Sequence, residues 1–361
     1  MGDSREAKLQ AGDFDHIPII DLSTLNSSHL DERKKLAQHI YHACTQVGFF
    51  YIKNHGIPED LITASHTAAH EFFSLTEEQK MKYYMGQSKI VTHGQKYRGF
   101  TPFYAEKSTG TYSDNLAEKT LAGTLSEAFN IGYEIGGDSQ RSVDDMLPPD
   151  IYGLYGDNQW PGDDILPGFR ETFLQWFAQG LNLCRALMRI FALAVGEEEH
   201  FFDSKMKYPG AQSRMMHYPP QPVVGEVQEG VGSHTDYGCL TILSQDSVPA
   251  LEVLNRRGEW VVAPPIPGTL VVNIADCLAI WTNETFRSTS HRVTNLTGKE
   301  RYSIPFFFSV DPDITVSVLE SCLSDEKPAC REPFKAGEFI RQRMSKAYTR
   351  YGQDPPAKPV H

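Results

Sequence analysis

The second half of the chain contains a series of short β-rich segments separated by turn residues, and this pattern constrains the fold more than any other feature. The segments recur every roughly 8–15 residues after Gln212. They are Met215–Tyr218, Cys239–Ser244, Leu251–Leu254, Trp260–Ala263, Thr269–Ile274, Ser288–Thr294 and Tyr302–Val310. The regular alternation of helices and strands that a parallel α/β sheet requires is missing. The pattern therefore predicts an antiparallel sandwich or barrel.

The first part of the chain is predicted to be mostly helical. Apolar residues follow the 3.6-residue period of an amphipathic helix over Leu30–Val47 and again over Phe169–Val195. Phe49–Ile52 is predicted to be a buried strand between them. Thr76 and Gln79 form a capping-box pattern at the start of a short helix. We therefore expect helices to flank a β core.

Two further regions complete this secondary-structure prediction. Residues 105–165 are polar and rich in Gly, Pro and Asp, and they show no sustained hydrophobic period. We expect long loops there, near an opening of the fold. A last helix is predicted at about residues 336–350.

Charge and cysteine content exclude several classes of partner. The chain has 34 basic and 46 acidic residues, a net charge of −12, which disfavours nucleic acid and anionic membranes. Its 6 cysteines are scattered without a C-x-x-C pair, which indicates reduced thiols. The N-terminus lacks an apolar signal region, and we find no membrane span in the sequence. These features predict a cytoplasmic protein.

His234 and Asp236 form an H-x-D pair at the start of one predicted strand. On an extended backbone, residues two apart project from the same face, so that both side chains can reach one point. The pair alone is weak evidence, because His29-Leu30-Asp31 has the same pattern. His291 lies in a later strand-like segment and adds a second imidazole. Two imidazoles and one carboxylate form the facial triad that leaves adjacent positions open on Fe(II).

Arg301 and Ser303 form a second pair that shares a strand face. A planar guanidinium and a hydroxyl suit a carboxylate ligand, which the guanidinium can bind in a bidentate manner. The apolar run Ile304–Phe308 follows directly. A charge beside such a run is expected to be buried and to need a partner. The pair therefore predicts a carboxylate site.

Ten short motifs lie along the chain in a characteristic order. In the first part they are Ile17–Leu22, Gly48–Ile52, Asn54–Pro58, Phe72–Phe73 and Tyr97–Phe100. In the second part they are Met216–Pro219, Gly232–Gly238, Val271–Asp276, Ser288–Val293 and Arg301–Ser303. Over roughly residues 15–312 this set resembles the Fe(II)/2-oxoglutarate-dependent dioxygenases of the isopenicillin-N-synthase-like branch. His234–Gly238 and Arg301–Ile304 are also similar to the fungal pyrimidine-hydroxylase members.

The resemblance implies a double-stranded β-helix, a cupin-like jelly roll that is mainly β with flanking helices and holds iron at one open end. It implies His234, Asp236 and His291 as iron ligands. It also implies that Arg301 and Ser303, with the Tyr218 hydroxyl, bind the distal carboxylate of 2-oxoglutarate. The implied reaction couples decarboxylation of 2-oxoglutarate by dioxygen, with release of succinate and carbon dioxide, to oxidation of a substrate.

The implied domain organisation is a polar tail followed by one dioxygenase domain. The tail is residues 1–14 and the domain is residues 15–361. Within that domain we expect a mostly helical N-terminal part, a jelly-roll core with the metal site, and a C-terminal helical segment. Their ranges are 15–211, 212–312 and 313–361.

Five residues are candidates for contact with the substrate. Met216 stands where many relatives carry Asn, and Arg214 is its neighbour on the same strand. Phe307 corresponds to an aromatic residue that lines the pocket of flavonoid-oxidising relatives, although simple core packing is an equally good interpretation. Tyr104 and Lys107, in the loop after the motif at Tyr97–Phe100, are the other two candidates. The aromatic content indicates a moderately apolar small molecule, such as a natural-product intermediate.

Three other interpretations remain open at this point. The chain could resemble those relatives that oxidise an amino acid or a tripeptide without 2-oxoglutarate and keep Arg-x-Ser for a different carboxylate. It could be a metal-dependent hydrolase, which would leave Arg301 without a role. It could also be a jelly roll without catalysis, an interpretation that the complete triad disfavours.

Overall fold

The computed structural model describes residues 13–85, 97–106, 124–142, 144–221 and 228–347, and helices and strands are numbered in chain order. The helices are α1 Leu30–Gln46, α2 Glu59–Phe73, α3 Glu77–Met81, α4 Phe169–Ala194, α5 Asp276–Trp281 and α6 Ala336–Ala347. The strands of the N-terminal part are β1 Ile19–Asp21, β2 Phe49–Lys53, β3 Gly99–Thr101 and β4 Glu127–Gly132. Those that follow are β5 Gln212–Tyr218, β6 Val231–His234, β7 Leu240–Gln245, β8 Leu251–Leu254, β9 Trp260–Val262, β10 Thr269–Ile274, β11 His291–Val293, β12 Arg301–Phe308, β13 Thr315–Val316 and β14 Phe334–Lys335.

The β core consists of two sheets that share one apolar interior. The larger sheet has the order β1-β2-β10-β7-β12-β5-β4-β3, and the smaller has the order β6-β11-β8-β9. Except for the parallel pair β1 and β2, neighbouring strands in both sheets are antiparallel. This arrangement confirms the predicted mainly β fold with a jelly-roll core.

Alternation along the strands divides the larger sheet into a helix-facing and a cavity-facing side. In β2, Phe50 and Ile52 join the core beneath the helices, whereas Phe49 and Tyr51 join the cluster between the two sheets. In β12, Phe306 packs its ring 4.9 Å from that of Phe177 in α4. Period-two alternation therefore places one set of side chains in the helical layer and the other around the site.

Helix α4 forms the centre of the helical layer. Its inner face is mostly apolar, with Phe173, Trp176 and Leu187 fully buried. Each large apolar side chain buried in this way contributes about 1.5–3 kcal/mol to stability. Gly180 allows α4 to lie close against β12, because a Cβ at this position would lie 2.8 Å from the ring of Phe306. The helix therefore holds the larger sheet from behind.

The predicted elements agree with the structure at most positions. The capping box at Thr76 and Gln79 is present. The prediction that residues 105–165 form only loops is wrong, because β4 (Glu127–Gly132) is a buried strand of the larger sheet. Its polar residues suggested a loop, but they have buried partners. Glu127, for example, bonds to Lys80 at 2.6 Å.

Among the described residues, no helix combines the length and the apolar character that crossing a membrane would require.

Candidate active site

The three predicted metal ligands meet at the mouth between the two sheets. His234 ends β6, His291 begins β11, and the antiparallel register places these two residues directly opposite each other. Asp236 lies in the loop that leads from β6 to β7. The ligand atoms of the three residues all lie within 4.8 Å of one another. The backbone therefore brings two imidazoles and one carboxylate to a single point.

Both imidazoles are oriented by hydrogen bonds from the ring nitrogen that faces away from Asp236. His234 Nδ1 lies 2.8 Å from the Gly232 carbonyl oxygen, and His291 Nδ1 lies 3.2 Å from that of Thr289. Because a carbonyl only accepts, each Nδ1 carries the proton and donates it. In the neutral imidazole each Nε2 then keeps a lone pair, which is the form that binds a metal.

The Asp236 carboxylate is fixed by two neighbours on the larger sheet. Asn273 donates to Oδ2 at 2.7 Å and Thr241 donates to the same oxygen at 2.5 Å. The other oxygen, Oδ1, lies 3.6 Å from Nε2 of His234 and 3.7 Å from Nε2 of His291. The hydrogen bonds thereby fix Oδ2, and Oδ1 is directed at the point where the imidazoles converge.

Burial and charge set the ionisation of this donor set. Burial, together with the nearby His234, lowers the pKa of His291 to about 4, so that the imidazole is neutral at physiological pH. Burial by itself raises the pKa of the Asp236 carboxyl. The positive charge of protonated His291 or His234 and the hydrogen bonds from Asn273 and Thr241 outweigh this effect, so that the net pKa lies below the usual range. Two imidazoles and one carboxylate suit Fe(II), and the donor set fits a facial triad.

Arg301 lies deeper in the cavity and is fully buried, with 0% of its surface exposed. Its guanidinium donates to the side chain of Gln245 at 3.0 Å, to the Val248 carbonyl at 3.2 Å and to the Ser303 hydroxyl at 3.2 Å. It also lies 4.9 Å from the centre of the Tyr218 ring. All these partners are neutral, and among the described residues Arg301 forms no salt bridge with a carboxylate. A buried cation whose hydrogen-bond partners are all neutral favours an anionic ligand.

The triad and Arg301 face one cavity of about 180 Å³ between the sheets. Tyr218, Arg214, Met216 and Phe307 line it, as the sequence predicts. Tyr104 does not line it, and its hydroxyl instead donates to Gln228 at 3.1 Å. The contact of Tyr104 with the substrate stays a prediction. Lys107 lies outside the described residues.

Several lining residues were missed in the sequence. Glu106, which lies between the predicted candidates Tyr104 and Lys107, lines the cavity and pairs with Arg214. Ile340 and Met344 reach the cavity from α6. A helix was predicted at about residues 336–350, but no sequence signal indicated which part of the fold it covers.

Helix α6 is also attached to the loop that carries Asp236. Arg343 is buried, and its Nη2 lies 3.4 Å from the Thr235 carbonyl oxygen and 3.7 Å from Oδ2 of Asp276. Its guanidinium lies 4.7 Å from the centre of the Tyr237 ring. The helix that covers the cavity therefore contacts residues on both sides of the metal ligand.

Comparison with known proteins identifies the class to which this fold and site belong. Residues 209–310 match the 2OG-Fe(II) oxygenase superfamily, and residues 17–163 match the family described as non-haem dioxygenase in morphine synthesis, N-terminal. The chain belongs to the 2-oxoglutarate-Fe(II) oxygenases of the isopenicillin-N-synthase-like type. It is an Fe(II)- and 2-oxoglutarate-dependent dioxygenase.

Individual relatives resemble the chain over most of its length. The 2-oxoglutarate-Fe(II) type oxidoreductase ppzC of Metarhizium majus is 34% identical over 92% of this chain and 87% of its own. Homoarginine-6-hydroxylase of Glycine max is 33% identical, over 86% of this chain and 90% of its own. The crystal structure of a full-length Neurospora crassa protein in complex with alpha-KG and thymine superimposes with a TM-score of 0.73 at 27% identity, covering 93% of this chain and 99% of that one. These matches disfavour the hydrolase, the non-catalytic jelly roll and the relative that lacks 2-oxoglutarate.

Proposed function

We propose that this enzyme oxidises a small organic molecule, such as a natural-product intermediate, by hydroxylation, desaturation or ring rearrangement. Succinate and carbon dioxide are the other products. His234, Asp236 and His291 hold Fe(II), which supplies the dioxygen and redox chemistry when it is bound. The convergence of these ligand atoms within 4.8 Å supports their assignment.

The observation that carries the co-substrate assignment is the buried Arg301 without an acidic partner among the described residues. In our proposal the Arg301 fork and the Ser303 hydroxyl bind the distal carboxylate of 2-oxoglutarate. Tyr218 lies across the sheet from Arg301 and adds its hydroxyl. The anion would provide the negative charge that the hydrogen-bond partners of Arg301 do not offer.

The remaining side chains prepare the site for reaction. Asn273 and Thr241 keep the Asp236 carboxylate in one orientation, and the backbone carbonyls do the same for both imidazoles. Apolar side chains around the cavity, including Met344 from α6, exclude water from the reacting atoms. We also propose that residues 15–361 form one domain, since α6 contributes to the site formed by the β core.

An anaerobic titration tests this function. With Fe(II) and 2-oxoglutarate added, the protein should develop the visible charge-transfer band of the iron-bound ketoacid. Succinate release in air, measured across a panel of candidate substrates, then identifies the molecules that are oxidised. A protein that binds iron but shows neither the band nor succinate release would contradict the proposal.

We propose that Arg214, Met216 and Phe307 face the substrate, and two phenylalanines of β12 provide a test. Phe307 lines the cavity, whereas Phe308, although it borders the cavity, is fully buried in the core beneath the helices. Phe307→Ala should therefore uncouple the reaction, so that 2-oxoglutarate is consumed with less product formed. Phe308→Ala should lower the free energy of unfolding by ~3–5 kcal/mol. Product-to-succinate ratios and denaturant unfolding measure the two effects, and an exchange of the two phenotypes would refute the assignment.

A further inference from the structure

An ion pair lies inside the cavity, apart from the metal ligands and Arg301. Arg214 Nη1 donates to Oε1 of Glu106 at 2.9 Å, and Nη2 donates to the second carboxylate oxygen. The side chains of Arg214 and Glu106 are only 10% and 16% exposed. Both residues line the cavity. The pair is thus a bidentate, largely buried polar group at the place where a substrate would bind.

The loop that carries Glu106 is held in a defined conformation. The Thr124 N–H donates to the Glu106 carbonyl at 3.0 Å, and the Tyr104 N–H donates to the Thr124 carbonyl at 3.0 Å. Tyr104 has a φ of 62°, a left-handed conformation that costs a non-glycine residue free energy. The backbone thus keeps this strained turn just before Glu106, which places the carboxylate against β5.

The position of the pair separates it from the co-substrate site. Arg214 and Tyr218 share the cavity face of β5 and are four residues apart, which is about 13 Å along a strand. Tyr218 lies opposite Arg301 in the register. The cavity wall near the pair also includes the apolar side chains of Met216 and Phe307. A substrate in contact with these apolar side chains would therefore have its polar edge at Glu106 and Arg214.

We propose that the substrate presents an uncharged amide-type edge, with a carbonyl oxygen and an adjacent N–H, to the Glu106–Arg214 pair. This inference rests on the proposed function, because it concerns the substrate of that same site. A guanidinium only donates hydrogen bonds and an ionised carboxylate only accepts them. Side by side they match a ligand that carries one acceptor and one donor. A lactam, an imide or a primary carboxamide has this pattern.

Charge explains why an amide is preferred to an acid or an amine. The pair has no net charge, so that a neutral ligand binds without leaving an unpaired ion in the cavity. A substrate carboxylate at Arg214 would meet the like charge of Glu106, and an ammonium group at Glu106 would meet that of Arg214. Either ionised ligand is therefore expected to bind less well than the amide.

Benzamide, benzoate and benzylamine test the inference, because they carry the same ring with an uncharged, an anionic and a cationic substituent. Each is titrated calorimetrically into the anaerobic enzyme with Fe(II) and 2-oxoglutarate bound. Benzamide should bind tightest to the wild type. In Glu106→Gln, Arg214 loses its anionic partner, and the affinity for benzoate relative to benzamide should rise about tenfold or more.

Glu199→Gln is the matched control, because Glu199 forms a bidentate pair with Arg33 at a similar 17% side-chain exposure, away from the cavity. It should leave the ranking of the three probes unchanged. Tightest binding of benzoate or benzylamine to the wild type would overturn the inference, as would failure of benzamide to bind at millimolar concentration. An unchanged ranking in Glu106→Gln would overturn it too. Loss of the charge-transfer band in the wild type would instead refute the proposed function.

Discussion

Replacement of His234, Asp236 or His291 with alanine is expected to abolish iron-dependent turnover while the fold survives. Each variant loses one of three donors, and changes to residues that only hydrogen-bond to a metal ligand already cost metal sites about 10–100-fold in affinity. We therefore expect iron affinity to fall by more than about a hundredfold. Anaerobic Fe(II) titration, succinate release and circular dichroism measure affinity, turnover and fold.

Two further variants sharpen this experiment. Asp236→Asn keeps the shape of the side chain and an oxygen that can accept from Asn273 and Thr241, so that it removes the anionic ligand with little change in packing. Asp31→Ala is the matched control, because Asp31 belongs to the second H-x-D sequence, which lies exposed at the start of α1. Normal turnover in all three alanine variants would show that the triad is not the iron site.

Arg301→Lys is expected to weaken 2-oxoglutarate binding by roughly ten- to a hundredfold. Lysine keeps the positive charge but lacks the planar fork, so that at least one hydrogen bond to the carboxylate is lost in a buried site. Such a loss costs about 1.5–3 kcal/mol. The KM for 2-oxoglutarate and the concentration dependence of the charge-transfer band report the change, whereas the affinity for Fe(II) alone should stay the same.

Arg185→Lys separates this effect from a general loss of stability. Arg185 is also buried, but its fork binds Asp138 with two hydrogen bonds of 2.7 Å in the helical layer. The control variant should unfold more easily and still bind 2-oxoglutarate normally. If Arg301→Lys folds and keeps the wild-type KM for 2-oxoglutarate, Arg301 has a structural role only.

The sequence predicted the β core well because alternation and turn residues are local signals. It did not predict β4, whose Glu127 and Asn130 are polar and obtain their partners only in the folded sheet. It also missed β6, a short strand with Gly232 and Ser233 at its centre. Local propensity describes such segments poorly because tertiary contacts decide their conformation.

The three residues of the predicted triad do lie together in the structure, although part of the geometric argument for them was wrong. His234 and Asp236 were expected to share a strand face, but Asp236 lies beyond the end of β6 in a loop. The substrate side was harder to predict. Glu106 and Arg214 are 108 positions apart in the sequence, and no period or motif relates them. Only the folded arrangement of β5 and the loop after β3 shows that they meet.

The pairing of β5 with β12 has a consequence for how new activities can arise on this scaffold. One and the same register places Arg301 opposite Tyr218 and Phe307 opposite Gln212. In our proposal, one end of this ribbon binds 2-oxoglutarate and the other end contacts the substrate. Mutations near Phe307 and Gln212 are then expected to change the substrate or the product and to leave the proposed sites for iron and 2-oxoglutarate unaltered. This end of the ribbon is therefore a suitable starting point for directed evolution.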